Sequence, residues 1–292
     1  MLYDIRLALH YDYDTPVQGG RHLIRVAPST IRGTQRLVAA SLSFDPQPER
    51  ESSFTDFFGN AVTTLSFRKP HDQLSIRLAA RVQVEERPAV ADLSPTIAQL
   101  RSEMGRLWSL EPGSPHHFIA GSSRVPLDDA ITRYAAETTR GATSVRAAAL
   151  ALCMGIHRDF RYDTKATDVQ TSPAEAFSLR RGVCQDFAHV MIAGLRGLGV
   201  PAAYVSGFLR TTPPPGKPRL EGADAMHAWV RVWCGQHMGW LEFDPTNAIT
   251  AGTDHIAIGH GRDYADISPI VGVLKTHGSH EARQSVDVLP VG

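Results

Sequence analysis

The stretch GVCQDFAHVMIAGLRGLGVPAAYVSGFL, residues 182–209, decides how the rest of this 292-residue chain is read. Phe187, Val190, Met191 and Leu195 recur at helical spacing, so a helix is expected to begin near Cys184 and to bury that face. Gly199 and Pro201 stop it, and a strand is expected over 202–210. Cys184 therefore falls on the first turn, where unpaired backbone N–H groups and the helix dipole favour negative charge on sulfur. A free thiol titrates near ~8.5 and is only a few per cent ionised at neutral pH, so a reactive cysteine needs an imidazole beside it.

Downstream, AMHAWVRVW (225–233) and GWLEF (239–243) alternate as two strands joined by the turn-like GQHMG, an antiparallel hairpin. In one hairpin register His227 faces Asp244 directly; in the neighbouring one the two are diagonal on the same face. Either register lets the carboxylate orient the ring and stabilise its cation while the opposite nitrogen faces Cys184 from another element. Singly, each residue has a plainer role: a small buried hydrophobe, a strand histidine, a turn former before Pro245. One mechanism explains the three placements together.

Upstream, Ser172, Pro173 and Glu175 form a capping-box pattern for a short helix ending near Gly182. Helices are expected near 127–139 and 144–158, the latter with Thr143 as N-cap. Another starts at Ser94-Pro95, with Ile97, Leu100, Met104 and Leu107 on one side. Before Pro88 the period is two. Tyr3, Ile5, Leu7, Leu9, Tyr11 and Tyr13 share one parity, Leu74 to Val84 repeat the pattern, and shorter strands are expected near 22–27, 36–44 and 61–67. This gives an all-β module over 1–86, a helical region over 87–140, and a core with C-terminal strands over 141–292. TTPPPGKPRLEG (211–222) is expected to be a loop.

Thirty Lys+Arg balance thirty Asp+Glu, which leaves no basic field for nucleic acid or anionic lipid. The N-terminus carries Asp4, Arg6 and Asp12 where a secretory signal would be apolar, and the longest apolar runs, such as 147–156, fall short of a bilayer span. A soluble, cytoplasmic protein with no membrane partner is expected. Three cysteines make no disulfide framework, and Cys153 and Cys234 are expected to be structural. A zinc set of Cys184, His189, Cys234 and His237 lacks any CxxC or HxxxH pair, and no EF-hand loop is legible, so no metal or cofactor is expected. Asp186 reads as a helix-start carboxylate, and Arg262, Asp263, Tyr264 and Asp266 as a structural hydrogen-bond cluster.

Three motifs in order, residues 182–209, DAMHAWVRVW (224–233) and GWLEFDPTNA (239–248), resemble the core of the transglutaminase-like superfamily in its bacterial branch. HYDYDTPV (10–17) and DFFGN (56–60) resemble that branch's N-terminal β-module, and GRDYADISPIVGV (261–273) a segment following its core. The resemblance implies an α+β protein with an antiparallel β-module, a helical middle and a papain-like core. In that core the cysteine helix packs on an antiparallel sheet carrying His and Asp. It implies Cys184 as nucleophile, His227 as base and acid, and Asp244 as the orienting carboxylate. The chemistry implied is acyl transfer or hydrolysis at a carboxamide or peptide bond through a thioester, on a protein or peptide substrate bearing an amide or glutamine group. The Cys184 backbone N–H is one candidate oxyanion donor; Tyr162, in FRYD, resembles an aromatic upstream of the nucleophile in relatives and is read equally as a second donor through its hydroxyl or as a packing residue. Trp229 shares the His227 face by parity and is a candidate wall of the cleft, with a core aromatic the favoured reading. The competing expectation is a partner-binding β-module on an inactive scaffold.

Overall fold

The computed structural model describes residues 1–86, 90–211, 222, 224–275 and 277–291. The single-parity N-terminus forms β1 (Leu2–Val17), burying Tyr3, Ile5, Leu7 and Leu9. It is followed by β2 (Gly20–Ile24), β3 (Gln35–Asp45), β4 (Arg50–Thr55), β5 (Ala61–Phe67) and β6 (His71–Val84). Every residue of β4 is exposed, so no alternation marks it in the sequence.

The helical middle comprises α1 (Ile97–Met104), α2 (Asp129–Thr138) and α3 (Val145–Asp159). α1 begins two residues beyond Ser94-Pro95 because Thr96 and Gln99 make a reciprocal capping box. α3 is capped not by Thr143 but by Ser144, whose hydroxyl accepts the Ala147 N–H at 3.1 Å. Then come β7 (Arg161–Tyr162), α4 (Pro173–Leu179), β8 (Arg181–Gly182), α5 (Cys184–Gly197), β9 (Ala202–Leu209) and β10 (Ala225–Trp233). The chain ends with α6 (Gly235–Met238), β11 (Trp240–Asp244), β12 (Ile249–Thr250), β13 (His255–Gly261), α7 (Tyr264–Ile267), β14 (Ile270–Leu274) and β15 (His280–Pro290). The proline-rich stretch expected as a loop lies almost wholly outside the described residues.

Among the described residues three antiparallel sheets form, in the orders β15-β1-β6-β3, β14-β2-β5-β4 and β12-β11-β10-β9-β13. The C-terminal strands expected with the core are hydrogen-bonded into the N-terminal sheets instead, β15 along β1 from Tyr3 to Tyr13 and β14 along β2. Phe208, Ile256 and Ile258 of the third sheet join the apolar cluster of the N-terminal strands, so the two regions share buried surface. A second cluster gathers α2, α3, α5 and strands β9–β11 around Phe187, Met191, Leu195 and Phe243.

α5 buries the four residues its periodicity singles out, and the stretch from Asp186 to Arg196 is buried on all sides. Arg196 is tolerated there because its guanidinium donates to the carbonyls of Phe118, Ala202 and Arg262 and to the Ser122 hydroxyl. Burial still lowers its pKa to about 10. Among the described residues no helix is long and apolar enough to cross a membrane.

Candidate active site

Cys184 occupies the first position of α5, half-buried, after the N-cap residue Val183. Gly182 must lack a side chain because a Cβ there would run into the Asp186 carboxyl. That carboxyl accepts the Val183 N–H at 2.8 Å and the Thr167 hydroxyl at 2.7 Å, which fixes how the chain enters the helix. Burial raises the Asp186 pKa against these hydrogen bonds. As a first-turn amide, the Cys184 N–H has no intrahelical acceptor and is free to meet an oxyanion.

The hairpin of β10 and β11 closes around α6, one helical turn rather than a tight turn, with Val230 opposite Phe243. That is the diagonal register. It brings His227 Nε2 to 2.8 Å from Asp244 Oδ2, with His227 8% exposed and Asp244 fully buried. With Nε2 donating to the carboxylate, Nδ1 is the ring nitrogen left for Cys184, whose thiol lies within hydrogen-bonding reach. Asp244 also accepts the backbone N–H groups of Thr246 and Asn247 on Oδ1, at 2.9 and 3.2 Å, and the Asn247 side-chain amide on Oδ2 at 2.6 Å. Burial pushes the Asp244 pKa up, but these donors and His227 overcome it and hold it well below the usual carboxylate range. Burial likewise works against the His227 cation, yet the hydrogen bonds to Asp244 and Cys184 raise its pKa to about 10. A ring so held can stabilise negative charge on sulfur and pass a proton to a leaving group.

Tyr162 pairs with Gly182 across β7 and β8 and is about half exposed. Its pKa is raised, first by partial burial and then by the nearby Cys184. Trp229, the candidate for the cleft wall, is fully buried as a core aromatic. It stacks behind His227 with ring centroids 6.2 Å apart and donates from Nε1 to Glu242 at 2.9 Å, so it supports the imidazole and has no surface to offer a substrate. Gly207, opposite His227 on β9, is required for this: a Cβ there would strike the Trp229 ring. Cys153 and Cys234 are buried, and burial pushes both thiols up to about 12. The Arg262 guanidinium and backbone N–H donate three hydrogen bonds to Asp266 while Asp263 caps α7, a structural cluster.

His255, which no periodicity singles out, is the residue that sequence reading misses. Its Nε2 lies 3.1 Å from Asp244 Oδ2. Among the described residues, His227, Asp244 and His255 form the one group of possible ligand atoms within 4.8 Å of one another. His189, Cys234 and His237 are not brought into any such group with Cys184. Of the three that do converge, the two imidazoles meet the carboxylate through Nε2, and the His255 Nδ1 accepts from Gly252 at 3.3 Å.

The family described as "Bacterial transglutaminase-like N-terminal region" matches residues 3–83, and "Transglutaminase-like superfamily" matches residues 132–245, which span Cys184, His227 and Asp244. An uncharacterized protein of Mycobacterium tuberculosis is 37% identical over 260 residues, 88% of this chain and 82% of that one. The chain belongs to the transglutaminase-like superfamily. A protein-glutamine gamma-glutamyltransferase of Pseudomonas aeruginosa is 32% identical to this superfamily member over 124 residues, 39% of this chain and 18% of that one. The crystal structure of a candidate cysteine protease from Cytophaga hutchinsonii superimposes with a TM-score of 0.75 at 22% identity, covering 99% of this chain and 90% of that one, and shows the same papain-like fold. Membership of the transglutaminase-like superfamily and the geometry around Cys184 support a cysteine-dependent catalytic role.

Proposed function

We propose that this transglutaminase-like protein is a cysteine acyltransferase or amidohydrolase acting on a carboxamide or peptide carbonyl of a protein or peptide substrate. Cys184 sulfur attacks the carbonyl carbon, and the negative charge that develops on oxygen is met by the Cys184 backbone N–H and the Tyr162 hydroxyl. His227 gives its proton to the departing amine as the C–N bond breaks, leaving a thioester on Cys184. Water or a primary amine then attacks the thioester, losing a proton to His227, and sulfur departs as the thiolate, which restores the starting ion pair. Asp244 keeps the ring oriented and its cation stable throughout.

The observation that carries this reading is the row itself: a first-turn cysteine in hydrogen-bonding reach of a buried imidazole whose other nitrogen is held by a fully buried carboxylate. The name of the P. aeruginosa relative favours glutamine as the acyl donor. The test is incubation of the full chain with a glutamine-containing peptide library and a tagged primary amine, with products read by mass. Amine adducts establish transamidation, and cleaved or deamidated peptides without adducts establish hydrolysis. A Cys184 no more reactive toward iodoacetamide than Cys153 and Cys234, with no product, would leave the fold as a non-catalytic scaffold.

A further inference from the structure

Five donors converge on Asp244, and one belongs to neither the row nor the turn that follows it. His255 Nε2 meets Asp244 Oδ2 at 3.1 Å, the oxygen that His227 Nε2 meets at 2.8 Å. The Gly252 backbone N–H donates to His255 Nδ1 at 3.3 Å. A ring nitrogen that accepts carries no proton, so the ring's proton sits on Nε2 and is donated to the carboxylate.

His255 opens β13, the outer strand of its sheet, and the N-terminal module holds that strand by side-chain amides. Gln35 accepts the Ala257 N–H at 2.8 Å and donates to the Ala257 carbonyl at 2.7 Å. Asn60 accepts the His260 N–H at 2.9 Å and donates to the His260 carbonyl at 2.8 Å. Both amides are buried, and each serves both polar groups of one residue on the outer edge, as a neighbouring strand would.

We infer that His255 is a fourth, positioning member of the Cys184–His227–Asp244 row, and that the N-terminal β-module takes part in the chemistry by fixing β13 through Gln35 and Asn60. The inference rests on the use of that row proposed above. A buried carboxylate shared between two N–H donors is fixed more narrowly than by one, and presents less charge to each. Without His255, more of the Asp244 charge falls on His227, which then keeps its proton to higher pH. The titratable groups facing this pair are Cys184 from α5, His255 from β13 and Cys153 from α3.

The test uses the full chain, with imidazole nitrogen NMR and the pH dependence of Cys184 alkylation by iodoacetamide. In the unmodified protein, His255 is expected as the Nε2-protonated tautomer, a reading that needs no variant to fold. His255→Leu is expected to move the upper inflection of the alkylation profile, where His227 loses its proton, to higher pH by about one unit, a tenfold change in proton affinity. His255→Gln, which restores an N–H donor, should return it, and Gln35→Leu should shift it in the same direction by less. A role confined to packing against Trp229 would lower stability without moving the inflection. An Nδ1-protonated His255, or an unmoved inflection in His255→Leu, overturns the inference. A wild-type Cys184 no faster than Cys153 and Cys234 would instead remove the proposed function.

Discussion

His227 in the transglutaminase-like core and His22 in the N-terminal module are buried to a similar depth, 8% and 3% exposed, yet they hold protons in opposite ways. Burial disfavours the cation in both. Around His22 nothing offsets it. Neither ring nitrogen finds a hydrogen-bond partner among the described residues, the ring packs edge-on against Phe67 at 5.7 Å, and His71 opposes a second positive charge. Its pKa falls from 6.5 to about 4, first by burial and then by His71. Around His227 the same burial is outweighed by Asp244 and Cys184, and the pKa rises to about 10. The partners around the ring, not the depth, decide whether a buried imidazole favours its cation.

The pH windows differ accordingly. His22 has a depressed folded pKa, so its contribution is intact above 6.5 and stability is lost as pH falls from there toward about 4. His227 has a raised folded pKa, so its contribution is full below 6.5 and is lost as pH rises through about 10.

The largest expected effect comes from erasing the difference between the two sites. Asp244→Asn should move His227 toward the state of His22, with its titration, read by imidazole NMR, falling from its raised value. Turnover of whichever glutamine peptide the wild type accepts should drop about 10³- to 10⁴-fold. Turnover kept within about tenfold would mean that the carboxylate does not set the chemistry of the ring.

The cysteines sharpen the comparison at the next level. At pH 6, Cys184 should be alkylated at least about 100-fold faster than Cys153 and Cys234, whose thiols burial has raised to about 12. His227→Ala should remove that advantage while leaving the two buried thiols as slow as before. Equal rates for all three in the wild type would show that the imidazole does not act on sulfur.

The row was legible because each member carries a local signal: a helix start for Cys184, strand alternation for His227, and a hairpin for Asp244. The hairpin's α6 turn was read only as a turn, yet the face shared by His227 and Asp244 survived because it depends on parity and not on loop shape. His255 carries no such signal. It opens the run His255–Gly259, buried throughout, with a bulge between Ala257 and Gly259, so neither period shows, and its role comes from long-range pairing with β9. Gln35 and Asn60 read as ordinary polar residues until β13 lies beside them. The return of β14 and β15 to the N-terminal sheets is likewise a matter of topology, since alternation marks a strand but not its partner. Trp229 shows the limit of parity, which places a side chain on a face without saying whether that face is open.

The smallest effect tests the other half of the comparison. His22→Phe keeps an aromatic ring against Phe67 and removes the group that gains a proton only on unfolding. The wild type should lose more stability between pH 7.5 and pH 4.5 than the variant, by about 2 kcal/mol, read as the difference in urea midpoints at constant slope. The ring faces Gly272 on β14, where a side chain would touch it, so some overpacking cost is expected at both pH values and cancels in the comparison. An equal loss in both proteins would assign the acid sensitivity to other groups and would leave His22 uncharged for reasons unrelated to its missing partner. A smaller loss in the variant would establish that the N-terminal module pays, at low pH, for an imidazole buried without the carboxylate that His227 has.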